Sequence, residues 1–208
     1  MARALDVIGD RWTLILIREL LLGPKRYGDL LAASPGIGTN LLADRLRQME
    51  GQGLIARTTL PPPAGSTVYR LTEVGAGLET VVRAIGRWGA NLMGPRRPEE
   101  LLSPGAYFIA LRERFLPERA VGLDEAYEFR VDGRVFWVRV EDQHCTTSEG
   151  EGGQGSPVAA FAMSVDTLND IFLGTLSASD AIQGGKVGVT GDPEALARFE
   201  HMFSPPDA

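Results

Sequence analysis

The sequence predicts an α+β protein of two units, a helical first half closed by a strand hairpin and a helix, and a second half whose mostly antiparallel sheet is covered by helices. Three observations predict it. Charge divides sharply along the chain, helical periodicity gives way to two strand-like runs around "PPPAG", and alternating apolar runs flank Asp132-Gly133. Residues 1–98 carry 13 Lys+Arg against 8 Asp+Glu, a net +5, and residues 99–208 carry 8 against 19, a net −11. A basic half joined to an acidic half implies a polyanionic partner for the first and not for the second. The sign changes in "MGPRRPEELLSPG", where Pro95, Pro98 and Pro104 interrupt helix, so the expected domains are 1–98 and 99–208.

At 208 residues each half is long enough to bury a core of its own. The apolar fraction of 44% and the charged fraction of 23% are those of an ordinary globular protein. No apolar run approaches the roughly 18 residues that cross a bilayer, and "MARALDVIGDRW" puts acids where a secretion signal is apolar. A cytoplasmic protein without membrane insertion is expected. Cys145 is the single cysteine, so it forms no internal disulfide and has no metal-ligand spacing around it.

In "DRWTLILIRELLLGPKRYGDLLAAS", Trp12, Ile15, Leu16 and Leu20 recur at helical spacing until Gly23-Pro24 stops the run. A short second helix over about Arg26 to Ala33 presents Tyr27, Leu30 and Leu31 before the turn "SPGIG". A third begins at Gly38 or Thr39, with Leu42, Leu46 and Met49 at i, i+4 and i+7 as its buried stripe. Its other side then shows Asn40, Ala43, Asp44 and Arg47, with Thr39 at the N-terminus and Arg45 on the flank. Two helices joined by a tight glycine turn, the second with a small polar outer face, form a helix-turn-helix. Ala43 lets the backbone approach bases, Asn40 suits adenine, and Arg47 suits guanine. Asp44 either accepts from a cytosine amino group or is tolerated at the edge. "LIARTTL" and "STVYRLT" are strand-like, and prolines without an amide hydrogen belong at the tip between them. That tip is a wing, with Arg57, Ser66 and Thr67 beside it. Arg26, Arg45 and Arg57 are expected on the DNA backbone. A packed αααββ scaffold without a ligand has the same periodicity.

The segments "RALDVIGDRWTLILIRELLLGPKRYGDLL", "NLLADRLRQMEGQGLIART" and "VYRLTEVGAGLETVVRAIGRWG" resemble the HxlR-type winged helix-turn-helix transcription regulators, over about the first 95 residues. The resemblance implies a dimeric, DNA-binding regulator. Many such proteins carry a cysteine just before the segment matching "ARALD", which some use to sense oxidants or electrophiles. This sequence has no thiol there, so that route of sensing is not expected.

After the wing, Thr72 suits an N-cap, and Val74, Leu78, Val81, Ile85, Trp88 and Leu92 are spaced as a heptad seam. Gly75, Gly77, Gly86 and Gly89 weaken that helix by up to ~1 kcal/mol each. The seam is either an intramolecular packing face or a homodimer contact. A two-fold dimer places two recognition helices on successive major grooves of an inverted-repeat operator in double-stranded DNA.

In the second half, "AYEFRVDGRVFWVRVED" alternates as Tyr127/Phe129/Val131 and Phe136/Val138/Val140 about Asp132-Gly133, a preferred hairpin turn. The acidic "TSEGEGGQG" reads as a solvated tip, and "SPVAAFAMSVD" as a central strand. "TLNDIFLG" and "SASDAIQGG" read as short helices, "KVGVTGD" as a strand, and "DPEALARFEHMF" as a helix with Asp192 at the N-cap and Pro193 first. His144 and His201 lack ligand spacing, and no nucleophile elbow or phosphate-cradling loop occurs. No catalytic residue, metal or cofactor is expected.

From Leu101 to Phe203 the hairpin, "FAMSVDTLNDIFLGTLSASDAIQGGKVGVTGD" and "PEALARFEHMF" resemble the sterol carrier protein type 2 fold. That resemblance implies a sterol-carrier-protein-like domain enclosing an apolar tunnel. Phe129, Phe136, Val138, Phe161, Met163 and Phe172 either line a cavity for a small apolar ligand or fill it, with Trp137 beside them. The expected whole is a dimeric regulator with a candidate effector domain. The alternatives are a purely structural or protein-binding second half, and a lipid-binding protein with a vestigial DNA-binding half.

Overall fold

A computed structural model describes residues 1–60, 65–90, 101–150, 155–192 and 194–203. Two compact units divide at Leu101/Leu102; the junction expected near residue 98 and the proline tip at 61–64 lie outside the described residues.

The first unit begins with a helix the sequence reading did not anticipate, α1 (Ala2–Ile8), which buries none of its residues. Helix α2 (Arg11–Leu20) starts where the Asp10 carboxylate accepts from the Trp12 amide at 2.8 Å, and it buries Trp12, Leu16, Ile17 and Leu20. Helices α3 (Tyr27–Ala33) and α4 (Thr39–Gly51) follow, and the Leu42/Leu46/Met49 stripe of α4 is fully inward. Burying three such side chains contributes about 1.5–3 kcal/mol each, enough to fix which side of α4 faces out. The helix ends in a Schellman motif. Gly53 takes φ +72, its amide donates to the Glu50 carbonyl, and Leu54 donates to Met49.

Strands β1 (Ile55–Thr59) and β2 (Thr67–Leu71) pair antiparallel from Ile55↔Leu71 to Thr59↔Thr67. Lys25 bridges to Tyr69 on the other side of β2, so the hairpin is stitched to the segment between α2 and α3.

The helix expected to run unbroken from Thr72 is two pieces, α5 (Glu73–Ala76) and α6 (Glu79–Ala90), separated at Gly77-Leu78. Thr72 does cap α5, accepting from the Gly75 amide, while its hydroxyl donates to the Gly53 carbonyl at 2.6 Å. Gly75 is required: a Cβ there would lie 2.0 Å from the Leu54 carbonyl oxygen.

The second unit opens with α7 (Pro104–Arg114), also unanticipated, which buries Phe108 and Ile109. Strands β3 (Asp124–Val131) and β4 (Arg134–Glu141) form the expected hairpin, with φ +46 at Asp132 and +80 at Gly133. Its Asp132 carboxylate also accepts from the Val165 amide at 3.1 Å, fixing the turn to the helix that begins there.

Part of the expected acidic tip is a strand, β5 (His144–Glu149), reached by a second turn with positive φ at Asp142 and Gln143. Glu149 is held by Arg134 at 2.6 Å, an ion pair that keeps this end of β5 against β4. Strand β6 (Ala159–Met163) lies parallel to β3, and α8 (Val165–Phe172), α9 (Ala178–Gln183) and β7 (Gly188–Gly191) follow as expected. The sheet order is β5-β4-β3-β6-β7, with one parallel pairing among four.

The last helix, α10 (Ala195–His201), starts later than the Asp192 cap predicts. Asp192 accepts from the Glu194 amide at 2.9 Å but also holds Arg198 at 2.7 Å, and Glu194 takes the N-cap position instead.

Candidate nucleic-acid interface and ligand cavity

Helix α4 owes its angle to a fixed turn. The Tyr27 hydroxyl at the start of α3 donates to the Thr39 carbonyl at the start of α4, at 2.6 Å. With the apolar stripe turned inward, Thr39, Asn40, Asp44 and Arg47 are exposed and Ala43 is half-buried between them. Arg47 is paired with Asp44 one turn away; the side chains are 75% and 57% exposed, so the tether is weak and solvent-screened.

Arg45 departs from the expectation of a free flank residue. It is bound to the Asp10 carboxylate at 2.9 Å and to Gln48 at 2.7 Å, with 18% of its side chain exposed. It links α4 to the cap of α2. Arg26 and Arg57 are exposed, Arg26 just ahead of α3 with its amide donating to Asp29 at 3.0 Å. Ser66 and Thr67 are half-buried beside the hairpin end, and the Ser66 Oγ has no partner among the described residues.

The seam residues separate into two sets. Val74, Ile85 and Trp88 are 67%, 48% and 65% exposed, whereas Leu78 packs on the unit's own core together with Val82. Val81 is half-buried, and Leu92 lies outside the described residues. The break at Gly77 is the physical reason, since it removes the common helical phase on which one continuous stripe depends.

In the second unit a cavity of about 520 Å³ lies between the sheet and its helices, within the range typical of small-molecule sites. Phe129, Phe161, Met163 and Phe172 are among the residues that line it. Phe136 and Val138 do not, which corrects that part of the set. Both are completely buried, and Phe136 is stacked on Phe108 at 4.4 Å with an interplanar angle of 10°. Trp137 belongs to a separate cluster with Ala126 and Val135, the residues that alternate to the other side of β3 and β4.

The walls that sequence reasoning missed come from α7, with Tyr107, Phe108, Leu111 and Arg114, from α10, with Leu196, Phe199 and Glu200, and from Phe203 just beyond it. For α10 the apolar spacing of "ALARFEHMF" is a usable signal. For α7 there is none, because its apolar residues are not gathered on one face. A polar clamp holds α10 in place: Arg198 donates to Glu125 at 2.8 Å and to Asp192, and Tyr127 donates to the same Glu125. Burial and the adjoining Glu125 carboxylate push the Tyr127 phenol up, so it stays a donor at neutral pH. Arg198 holds Asp192 below the usual carboxylate range.

Cys145 is half-buried, and desolvation pushes its thiol up to about 12 against a smaller opposing effect of Arg112, so little of it is thiolate at neutral pH. The hydrogen-bond partner of the His144 ring among the described residues is the Asp142 carbonyl, at 2.7 Å. No group of three or more His, Cys, Asp or Glu suited to a metal occurs among the described residues, nor does a helix long and apolar enough to cross a membrane.

Comparison with known proteins places both units. Residues 7–97 match the HxlR-like helix-turn-helix family and residues 109–204 match the SCP-2 sterol transfer family. The HTH-type transcriptional regulator YodB of Bacillus subtilis is 32% identical over 95 residues, 46% of this chain and 85% of that protein. The HTH-type regulator Rv3095 of Mycobacterium tuberculosis is 36% identical over 99 residues, covering 48% of this chain and 61% of its own length. Among solved structures, reduced YodB from B. subtilis is 31% identical with a TM-score of 0.41, over 47% of this chain and 95% of that one. The chain thus belongs to the HxlR-like helix-turn-helix family of transcriptional regulators, with an SCP-2 unit following the helix-turn-helix.

Proposed function

We propose that this chain is a homodimeric, DNA-binding transcription regulator of the cytoplasm whose second unit receives a small apolar effector. The observation that carries the DNA-binding reading is the outer side of α4, where Asn40 and Arg47 are exposed with Ala43 half-buried between them, together with an exposed Arg57 on the hairpin. In this reading Asn40 and Arg47 address base edges, and Arg26 and Arg57 hold phosphates with Thr39, Ser66 and Thr67. Asp44 holds Arg47 until a base replaces it. Arg45 acts indirectly, by keeping α4 in place.

Two-fold pairing through Val74, Ile85 and Trp88, with Val81 and Leu92, sets two recognition helices on an inverted repeat whose half-sites are about 10 bp apart, or a multiple of it. An apolar cavity of about 520 Å³ favours a receptor over a solid structural domain, and we assign the second unit no catalysis.

The test is selection of bound duplexes from a random pool, followed by titration at several salt concentrations. Arg47→Ala is expected to cost about 1–3 kcal/mol and relax preference at one position, whereas Arg57→Ala weakens all sequences alike. Unchanged sequence preference in Arg47→Ala rejects its assignment. No salt-dependent duplex binding at all rejects the regulator reading.

A further inference from the structure

We propose that the ligand of the second unit is a ring-bearing organic anion, an aromatic or polycyclic acid, seated among Phe129, Phe161 and Phe199 with its acidic group at Arg119. The inference rests on the receptor reading above and gives that receptor a chemical class.

Two independent features of the lining carry it. The first is a wall of mutually packed rings. Phe129 of β3 lies 5.0 Å from Phe161 of β6 and 5.3 Å from Phe199 of α10, and Phe199 lies 4.7 Å from Phe203. All four line the cavity. Rings that brace one another in tilted pairs cannot fold around a flexible chain as methionines would. They offer a planar guest the offset and edge contacts that aromatic rings prefer. A rigid guest also gives up less conformational freedom on entering.

The second feature is the charge in the lining. Arg114 and Arg119 contribute two guanidinium groups, and Glu200 one carboxyl. Arg114 is committed to the fold, donating to the Phe172 carbonyl at 2.8 Å and lying 3.7 Å over the Phe172 ring. Arg119 is exposed, and the one hydrogen-bond partner of its guanidinium among the described residues is the His201 carbonyl at 3.4 Å. A guanidinium has five N–H donors in a fork that matches a carboxylate or sulfonate. Glu200 is itself exposed, and one carboxyl against two guanidinium groups leaves the lining net positive. Fixed charge in the lining is therefore positive at the one place where donors are available.

The test titrates the full chain with three fluorescent probes: 8-anilinonaphthalene-1-sulfonate, its uncharged relative N-phenyl-1-naphthylamine, and the acyl-chain acid cis-parinaric acid. The expected result is one anilinonaphthalenesulfonate per chain, bound roughly tenfold or more tighter than the uncharged relative, as a hydrogen-bonded charge pair implies. Palmitate should not displace it. In Arg119→Glu the advantage of the anion should vanish while the uncharged probe still binds, which shows the cavity intact. Should that variant bind neither probe, Arg119→Lys must restore the anion preference in part, or the assignment of Arg119 is wrong. Tighter binding of cis-parinaric acid overturns the ring-bearing class and leaves the receptor reading standing. An anion preference unmoved by Arg119→Glu overturns the role of Arg119. Failure of all three probes to bind overturns this inference together with the receptor reading.

Discussion

Phe136 and Phe161 offer a test of whether the cavity persists in solution, because they match in burial and differ in what they face. Phe136 is 0% exposed and Phe161 1%. Phe136 is enclosed by protein, its ring stacked on Phe108 at 4.4 Å; Phe161 has Phe129 at 5.0 Å and Phe199 at 6.4 Å, and its remaining side borders the cavity. Truncating a packed phenylalanine to alanine costs about 3–5 kcal/mol. Phe136→Ala belongs at the top of that range because it loses the stacked pair as well, itself about 0.5–1.5 kcal/mol. Phe161 is almost as fully packed but lacks that stacked pair, so Phe161→Ala should cost about 3–4 kcal/mol. Native-state hydrogen exchange at the β3 and β4 amides reads this difference within the second unit alone. A gap of about 1.4 kcal/mol appears as tenfold faster exchange in Phe136→Ala. Only Phe161→Ala should also change the affinity of a bound probe. Equal losses in the two variants would mean that the stack on Phe108 adds nothing, and an unchanged probe affinity in Phe161→Ala would mean that the space beside it is filled in solution.

Three further outcomes are expected. Gly75→Ala places a Cβ 2.0 Å from the Leu54 carbonyl and should destabilise the first unit by about 1–3 kcal/mol. Gly86→Ala, where a Cβ meets nothing within 4 Å, should stabilise α6 by up to ~1 kcal/mol; calorimetric shifts of the same sign would contradict this. Arg45→Ala should lower stability by about 0.5–1 kcal/mol through loss of the Asp10 pair, whereas Arg57→Ala should leave stability unchanged and reduce the salt slope of duplex binding by about 1. Reversal of those two phenotypes in melting and titration would return Arg45 to the DNA backbone. Asp192 is lowered by its hydrogen bond from Arg198, so its contribution is complete above the ordinary aspartate value near ~3.9 and is lost as pH falls through the lower folded value. Protection factors at α10, with the intrinsic pH dependence of amide exchange divided out, should fall on acidification in the wild-type chain, and Asp192→Asn should flatten that fall.

What the sequence disclosed follows from how locally each feature is determined. The α4 stripe is written at i, i+4 and i+7, and its outer residues follow by geometry alone. Likewise Asp132-Gly133 dictates a turn with positive φ whatever packs around it. Strand β5 escaped because "HCTTSE" is mainly polar, as an outermost strand paired only with β4 can be. Helix α1 escaped because it is short and buries none of its residues, and α7 because it does not gather its apolar residues on one face. The partner of Arg45 was illegible because Asp10 lies 35 positions away, and helical phase says nothing about such distances. Among the inner aromatics, the strand register sets Phe136 and Phe161 on either side of Phe129 on one side of the sheet. Which of them meets α7 and which borders space depends on where that helix lies.

The broken helix after the wing bears on how the proposed dimer would hold together. A continuous seam of six residues needs one helical phase, and the turn at Gly77-Leu78 divides it. Leu78 and Val82 are then drawn into the unit's own core. Among the described seam residues, Val74, Ile85 and Trp88 carry most of the exposed apolar surface, and Met1 and Leu5 of α1 are exposed as well, at 97% and 55%. Full burial of an aliphatic side chain contributes about 1.5–3 kcal/mol, and a tryptophan covers more area than either aliphatic neighbour. Glycines at 86 and 89 flank Trp88 on α6 and place no side chain beside it. That leaves the indole of Trp88, 65% exposed on a 12-residue helix, as the group with most to gain from a second copy. In a two-fold contact the gain is made twice, because each chain presents the same residue to the other.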